Sequence, residues 1–87
     1  MFLPKKFRKD IKRIQKRGYD MNLVKEVIVL LEQTGNLPSN YLPHKLSGNY
    51  SGYWEAHIKP DWLIIWQYIQ IENELWLTRT GTHSDLF

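Results

Sequence analysis

Apolar positions recur at helical spacing in the first third of the chain and at strand spacing over its second half. Phe7, Ile11 and Ile14 stand at i, i+4 and i+7, Pro4 suits a first helical position, and Gly18 suits the left-handed stop after the last turn. This spacing predicts a short amphipathic helix with a narrow apolar stripe, leaving Lys6, Lys9, Arg13, Lys16 and Arg17 to water or to a partner. A second helix is predicted from about Asn22, whose side chain can cap free amides, to Thr34, with Gly35 as its stop. Leu23, Val24, Val27, Ile28, Leu30 and Leu31 leave it few polar positions, so it is the more deeply buried of the two. The short link from Gly18 to Met21 makes the helices antiparallel neighbours. Met1 to Leu3 carries too little periodicity to separate a short strand from an irregular start.

Prolines, asparagines and a serine between Asn36 and Pro43 mark a loop leading from helix into sheet. Four strand-like runs follow: His44-Lys45-Leu46, Tyr53 to Ile58, Trp62 to Ile71 and Leu75 to Thr80, the last two joined by Glu72-Asn73-Glu74. Short turns between consecutive strands require antiparallel pairing, since a parallel return needs a longer crossover. The predicted fold is one α+β domain over residues 1–87, a twisted antiparallel β-sheet with an N-terminal helical hairpin packed on one face. In the third strand Trp62, Ile64, Trp66 and Tyr68 fall on one side and Leu63, Ile65, Gln67 and Ile69 on the other. One side is expected to meet the helices. The other, exposing large aromatics, is expected to form a second small core or a concavity facing a ligand.

At 87 residues the chain has room for one domain, and a small domain needs an efficient core, here supplied by 14% aromatic residues. No apolar run approaches the roughly 20 residues that cross a bilayer, so no membrane association is expected. The first residues lack the order of a signal peptide and there is no cysteine, so the expected compartment is cytoplasmic. The net charge of +3 hides an asymmetry. Residues 1–18 hold eight Lys or Arg and one acid, hence +7, whereas residues 19–87 hold four and eight, hence −4. Such a basic segment reads as a surface for phosphates or an acidic protein, or more plainly as a solvated helix face.

Ionisable groups crowd into Glu55 to Trp62, where Pro60 breaks helical geometry and makes a turn between two strands. His57 and Asp61 then project from strand ends, where a rigid sheet holds reactive groups at fixed separation. Hairpins bring His44, Arg79 and His83 within range of the same site. No H-E-x-x-H or C-x-x-C pair marks a metal site, no G-x-S-x-G elbow marks acyl transfer, and Gly48 and Gly81 make no phosphate-cradling loop, so no metal and no cofactor are expected. RNA cleavage fits better. It needs a base for a ribose 2′-hydroxyl, an acid for the leaving 5′ oxygen and a cation for the charge growing on phosphate, with aromatics to stack on bases.

Two motifs carry a family resemblance. Tyr53-Trp54-Glu55-Ala56-His57-Ile58-Lys59-Pro60-Asp61-Trp62 and Arg79-Thr80-Gly81-Thr82-His83-Ser84-Asp85-Leu86-Phe87, with Leu42-Pro43-His44-Lys45-Leu46-Ser47-Gly48 upstream, resemble the YafQ branch of the RelE/ParE toxin superfamily over nearly the whole chain. The resemblance implies a toxin of a type II toxin–antitoxin pair: a metal-independent endoribonuclease that cuts mRNA in the ribosomal A site and is neutralised by a cognate antitoxin. Its site residues correspond to His44, His57, Asp61, Trp62, His83 and Phe87. By the same analogy His83 is the general acid, His57 and Asp61 serve the base side, Arg79 steadies the phosphate, and Trp62 and Phe87 shape the base pocket. Lys9, Arg13 and Arg17 are the expected contacts to RNA on the basic helix, which the antitoxin competes for. The rival readings are a ParE-type toxin that binds DNA gyrase without catalysis and a simple RNA- or protein-binding module. The histidine and aspartate set argues against the first; in the second the same histidines serve the fold.

Overall fold

Helix α1 spans Lys5–Lys16 and helix α2 Met21–Thr34 in the computed structural model, which describes residues 1–69 and 71–87. Pro4 precedes α1 as its N-cap, one position earlier than expected, and its carbonyl accepts from the Arg8 N–H at 3.1 Å. The cap of α2 is Asp20 rather than Asn22, its carboxylate accepting the Asn22 N–H at 2.9 Å. An anion at that end also opposes the positive pole of the helix, which a neutral asparagine does not. Gly35 ends α2 at φ +72°, a left-handed turn that lets its N–H reach the Leu31 carbonyl at 2.8 Å.

The sheet is a meander of β1 (His44–Lys45), β2 (Trp54–Lys59), β3 (Trp62–Ile69) and β4 (Glu74–Gly81), antiparallel throughout and in the order β1-β2-β3-β4. The pairing of β1 runs on by one bond, from Leu46 N–H to the Tyr53 carbonyl. The expected third strand reached Ile71 across Gln70, which lies outside the described residues; β3 is described to Ile69, and Ile71 is fully exposed in the turn. Phe2 adds a one-residue parallel bridge to β4, donating to the Leu75 carbonyl and accepting from the Leu77 N–H. A last helix, α3 (His83–Leu86), follows β4 directly. It is four residues long and polar, with no apolar period to announce it, but Thr82 and Asp85 form a capping box, and T-x-x-D is a readable start signal.

Trp62, Ile64 and Trp66 face the helices, packing with Phe7, Ile14, Val24, Val27 and Leu31. The opposite face is aliphatic: Leu63, Ile65 and Leu86 form a smaller cluster under Leu46 and Tyr53. The expectation that large aromatics line the face away from the helices is therefore corrected. Bulky rings fill the wider gap between sheet and helices, where they bury the most area. Trp62, expected in a base pocket, is 2% exposed, and its Nε1–H donates to Thr80 Oγ1 at 3.0 Å while Thr80 donates to the Leu63 carbonyl at 2.7 Å. It is a core residue with no face free for a base.

The free edge of β4 is closed by α1. Asp10, 1% exposed, accepts from the Thr80 N–H at 3.2 Å, from Arg79 Nε at 2.6 Å and Nη2 at 3.1 Å, and from Arg13 Nη1 at 3.0 Å. A buried carboxylate is tolerated because every bond it makes is charge-assisted or satisfies an edge amide. One turn further on, Arg17 grips Asp85 of α3 with Nη1–Oδ2 at 2.7 Å and Nη2–Oδ1 at 3.0 Å. Arg13 and Arg17 are thus occupied by internal acids, so the expectation that both are free RNA contacts is corrected. Lys9, on the same stripe, is exposed.

Two outcomes follow for stability. Asp10→Ala orphans the Thr80 amide and the half-buried Arg79 guanidinium, a loss of about 3 kcal/mol, measured as a lower urea midpoint with the slope unchanged. The Asp85 carboxyl is held well below the usual carboxylate range, first by Arg17 and then by its Thr82 bonds. A depressed folded value contributes stability that is present above the unfolded pKa of about 3.9 and is lost as pH falls toward the folded one. Arg17→Gln should therefore melt lower than the parent at pH 7, and the gap should narrow as the pH is taken below about 4.

Candidate active site

The site-bearing face is the aliphatic one, and the strand register shows how it is laid out. His44 pairs with Glu55, Glu55 with Ile65, and Ile65 with Arg79, so these four form one row across the sheet. The next row runs from His57 through Leu63 to Gly81. Ile58 is the extra residue of a bulge between the His57–Leu63 and Lys59–Trp62 pairs. Bulges re-aim side chains at strand ends, and this one adjoins the Pro60-Asp61 turn.

Three imidazoles stand in line along this face. The His44 and His57 ring centres are 6.2 Å apart and those of His57 and His83 are 6.1 Å apart. Each ring is oriented by a different acceptor. His57 faces the Pro60 carbonyl through Nδ1 at 3.2 Å; a carbonyl only accepts, so Nδ1 carries the proton and Nε2 is left with its lone pair in the neutral ring. Pro60 thus contributes its oxygen as well as its bend. His83 faces Asp61 Oδ1 through Nδ1 at 2.7 Å, and the same oxygen accepts the His83 backbone N–H at 3.1 Å. These two bonds to His83, the side-chain one first, lower the Asp61 pKa and keep it ionised. An ionised carboxylate on Nδ1–H fixes the tautomer and turns Nε2 outward.

The expectation that Asp61 stands with His57 on the base side is corrected: it bonds His83, because the turn aims it at the start of α3 while the Pro60 carbonyl takes the His57 nitrogen. His44 has acceptors on both nitrogens, the Leu42 carbonyl on Nδ1 at 2.9 Å and Glu55 Oε1 on Nε2 at 3.2 Å. Leu42 presents that carbonyl from a left-handed backbone at φ +52°, a strained position for leucine. Glu55, 6% exposed, is a buried acid that the sequence reading left out of the site. Its place emerges only from the register, though an acid two residues before a histidine on one strand shares its face.

The other expected residues divide. Arg79 lies on the same face, two strands from Glu55 and so about 10 Å away; its bond to Asp10 holds it firmly charged. Phe87, 64% exposed, meets Tyr50 edge to face at 5.5 Å, and Tyr50 meets Tyr53 at 6.0 Å, giving an aromatic rim beyond the histidines. Trp62 is absent from this face, as described above. Among the described residues no three His, Cys, Asp or Glu side chains converge as a metal site would require.

Comparison with known proteins agrees with the fold and the motifs. The family model for YafQ, the bacterial toxin of type II toxin-antitoxin systems, matches residues 2–87. The mRNA interferase toxin YafQ of Escherichia coli strain K12 is 44% identical over 82 residues, which are 93% of this chain and 87% of that protein. The E. coli DinJ-YafQ complex superposes with a TM-score of 0.87 at 41% identity, covering 98% of this chain and 93% of the solved one. A metal-bound toxin from Helicobacter pylori gives 0.89 at 40% identity, covering 98% and 94%. With the family match running from residue 2 to residue 87, the chain belongs to the YafQ family of type II toxin–antitoxin toxins.

Proposed function

We propose that this toxin is a cytoplasmic endoribonuclease that cleaves mRNA in the ribosomal A site by general acid–base chemistry, requires no metal, and is silenced by a cognate antitoxin. The observation that carries this reading is the pairing of His57, its Nε2 free of protein acceptors among the described residues, with an Asp61-oriented His83 whose ring centre lies 6.1 Å away. Both rings are anchored through Nδ1, so their Nε2 atoms are left to address the 2′ and 5′ oxygens of one phosphodiester. His57 Nε2 takes the proton of the ribose 2′-hydroxyl, whose oxygen attacks phosphorus. The P–O5′ bond breaks, and the leaving oxygen takes the Nε2 proton of a doubly protonated His83, whose Nδ1–H stays with Asp61. Arg79, which gives Nε and Nη2 to Asp10, keeps Nη1 for the charge on the phosphorane, and His44 stands beside His57 on the same face. Phe87 and Tyr50 form the rim on which a base stacks.

The E. coli relative is described as an mRNA interferase and is solved with DinJ, which supports both the mRNA substrate and the antitoxin. Against a non-catalytic gyrase binder stands the spacing of the three imidazoles on one face, with His57 and His83 each oriented by its own acceptor. The H. pylori structure holds a metal, so the test includes a chelator.

Translating ribosomes incubated with the wild type should yield cut message in EDTA-treated, magnesium-replenished buffer, and His83→Ala should lower the single-turnover rate by about 10² to 10⁴ fold. Intact message with a growth-arresting wild type would point to a binder, and rescue only by added transition metal would overturn metal independence. Asp61→Asn, which keeps size but lets the His83 ring turn, should lower kcat at least about a hundredfold with KM little changed. An equal rise in KM would make Asp61 a substrate contact.

A further inference from the structure

Helix α3 is a single turn, too short to hold itself together, since the first turn of a helix fixes several dihedrals for one hydrogen bond. His83 is its first residue, so the direction of that ring depends on what fastens α3 from outside. Three fastenings exist. Leu86 is buried in the small aliphatic cluster, Asp61 takes the His83 amide and ring, and Asp85 is clamped by Arg17 across 68 residues of sequence. Asp85 Oδ2 also accepts the Thr82 N–H at 3.0 Å while its own N–H donates to Thr82 Oγ1 at 3.2 Å. The carboxylate therefore ties α1, the end of β4 and the first turn of α3 to one point. Gly81 is shaped for it: at φ +151° a Cβ would stand 2.8 Å from Asp85 Oδ2, so only glycine lets the carboxylate sit against the strand end.

We propose that Arg17 and Asp85 form a positioning clamp for the catalytic histidine: Arg17 acts through Asp85 on the direction of His83 rather than by binding RNA phosphate. The proposal rests on the reading of His83 as the acid. Two geometric facts favour it over phosphate binding. The clamp is bidentate, using both terminal nitrogens of Arg17 on both carboxylate oxygens, so an RNA phosphate would have to displace a fitted partner. And Asp61, the orienting partner of His83, is an exposed side chain on a turn, so its bond to the ring holds only if α3 stays where Asp85 keeps it. Small displacements matter here, because a misplacement of about 1 Å can lower a rate about a hundredfold.

The test uses Arg17→Gln, Arg17→Lys, Asp85→Asn and the Arg17→Gln/Asp85→Asn double variant in the full chain, each confirmed folded by circular dichroism at the assay temperature. NMR of the imidazole signals reads the clamp without any activity. The His83 Nδ1 proton, bonded to Asp61, should lose protection from exchange in Arg17→Gln and Asp85→Asn, while the His57 and His44 signals hold. On ribosomes, Arg17→Gln and Asp85→Asn should each lower kcat about ten- to hundredfold with KM within about twofold, the double variant should be no worse than either single one, Arg17→Lys should recover part of the loss, and the salt slope of ribosome binding should not change. Unaltered His83 signals in both variants would overturn the clamp. So would a raised KM with a salt slope smaller by about 1, the signature of a lost phosphate contact. Altered His83 signals in a protein with no nuclease activity would sustain the clamp while overturning the catalytic reading.

Discussion

One buried carboxylate, that of Asp10, ties the basic helix to the free edge of the sheet. An edge strand presents unpaired amides that invite another chain. Here Phe2 closes one end of β4 and Asp10 closes the other, through the Thr80 amide. The same carboxylate draws Arg79 and Arg13 toward it. Remove it, and the Thr80 amide at the sheet edge loses its acceptor and two guanidinium groups lose their counterion, while Phe7 and Ile14 still hold the helix on the core.

On the other face of the sheet the geometry comes from the strand register. The rows set by strand pairing put His44, Glu55 and Arg79 on one line and His57 on the next, and the bulge at Ile58 turns the strand end so that Pro60 and Asp61 serve two different imidazoles. The two imidazoles differ in their acceptors. A backbone carbonyl on Nδ1 leaves the neutral His57 ring with an outward lone pair, and a carboxylate on Nδ1 fixes the direction of the His83 ring. Two chemically identical side chains are given different surroundings by what stands behind them.

Much of this was legible in the chain. Apolar spacing located both long helices and all four strands, and short turns required the meander. What escaped was local competition and facing. Asp20 caps α2 where Asn22 was expected, because the helix begins at Met21 and Asn22 lies inside its first turn. Alternation sorted Trp62, Ile64 and Trp66 from Leu63 and Ile65, but alternation is symmetric, so it gave no reason to send the rings toward the helices; volume did. For Trp62 that meant burial where the family analogy suggested a base contact. The role of Arg17 was hidden because its partner Asp85 lies 68 residues away, and a run of basic residues looks the same whether its charges face water or an internal acid; Asp10 stands only three residues before Arg13, so what escaped there was the burial of that acid. The short α3 was hidden by its length, since one turn has no period.

The separation of those partners also bears on when the molecule becomes itself. Asp10 meets Thr80 across 70 residues and Arg17 meets Asp85 across 68, whereas the β-hairpins join neighbours. Contacts between distant segments must first overcome the entropy of closing the intervening loop, so they tend to form after local ones. The hairpin carrying His57 and Asp61 can zip early, whereas the Arg17–Asp85 pair closes only when the basic helix docks on the sheet. Until then α3 rests on Leu86 and Asp61 alone.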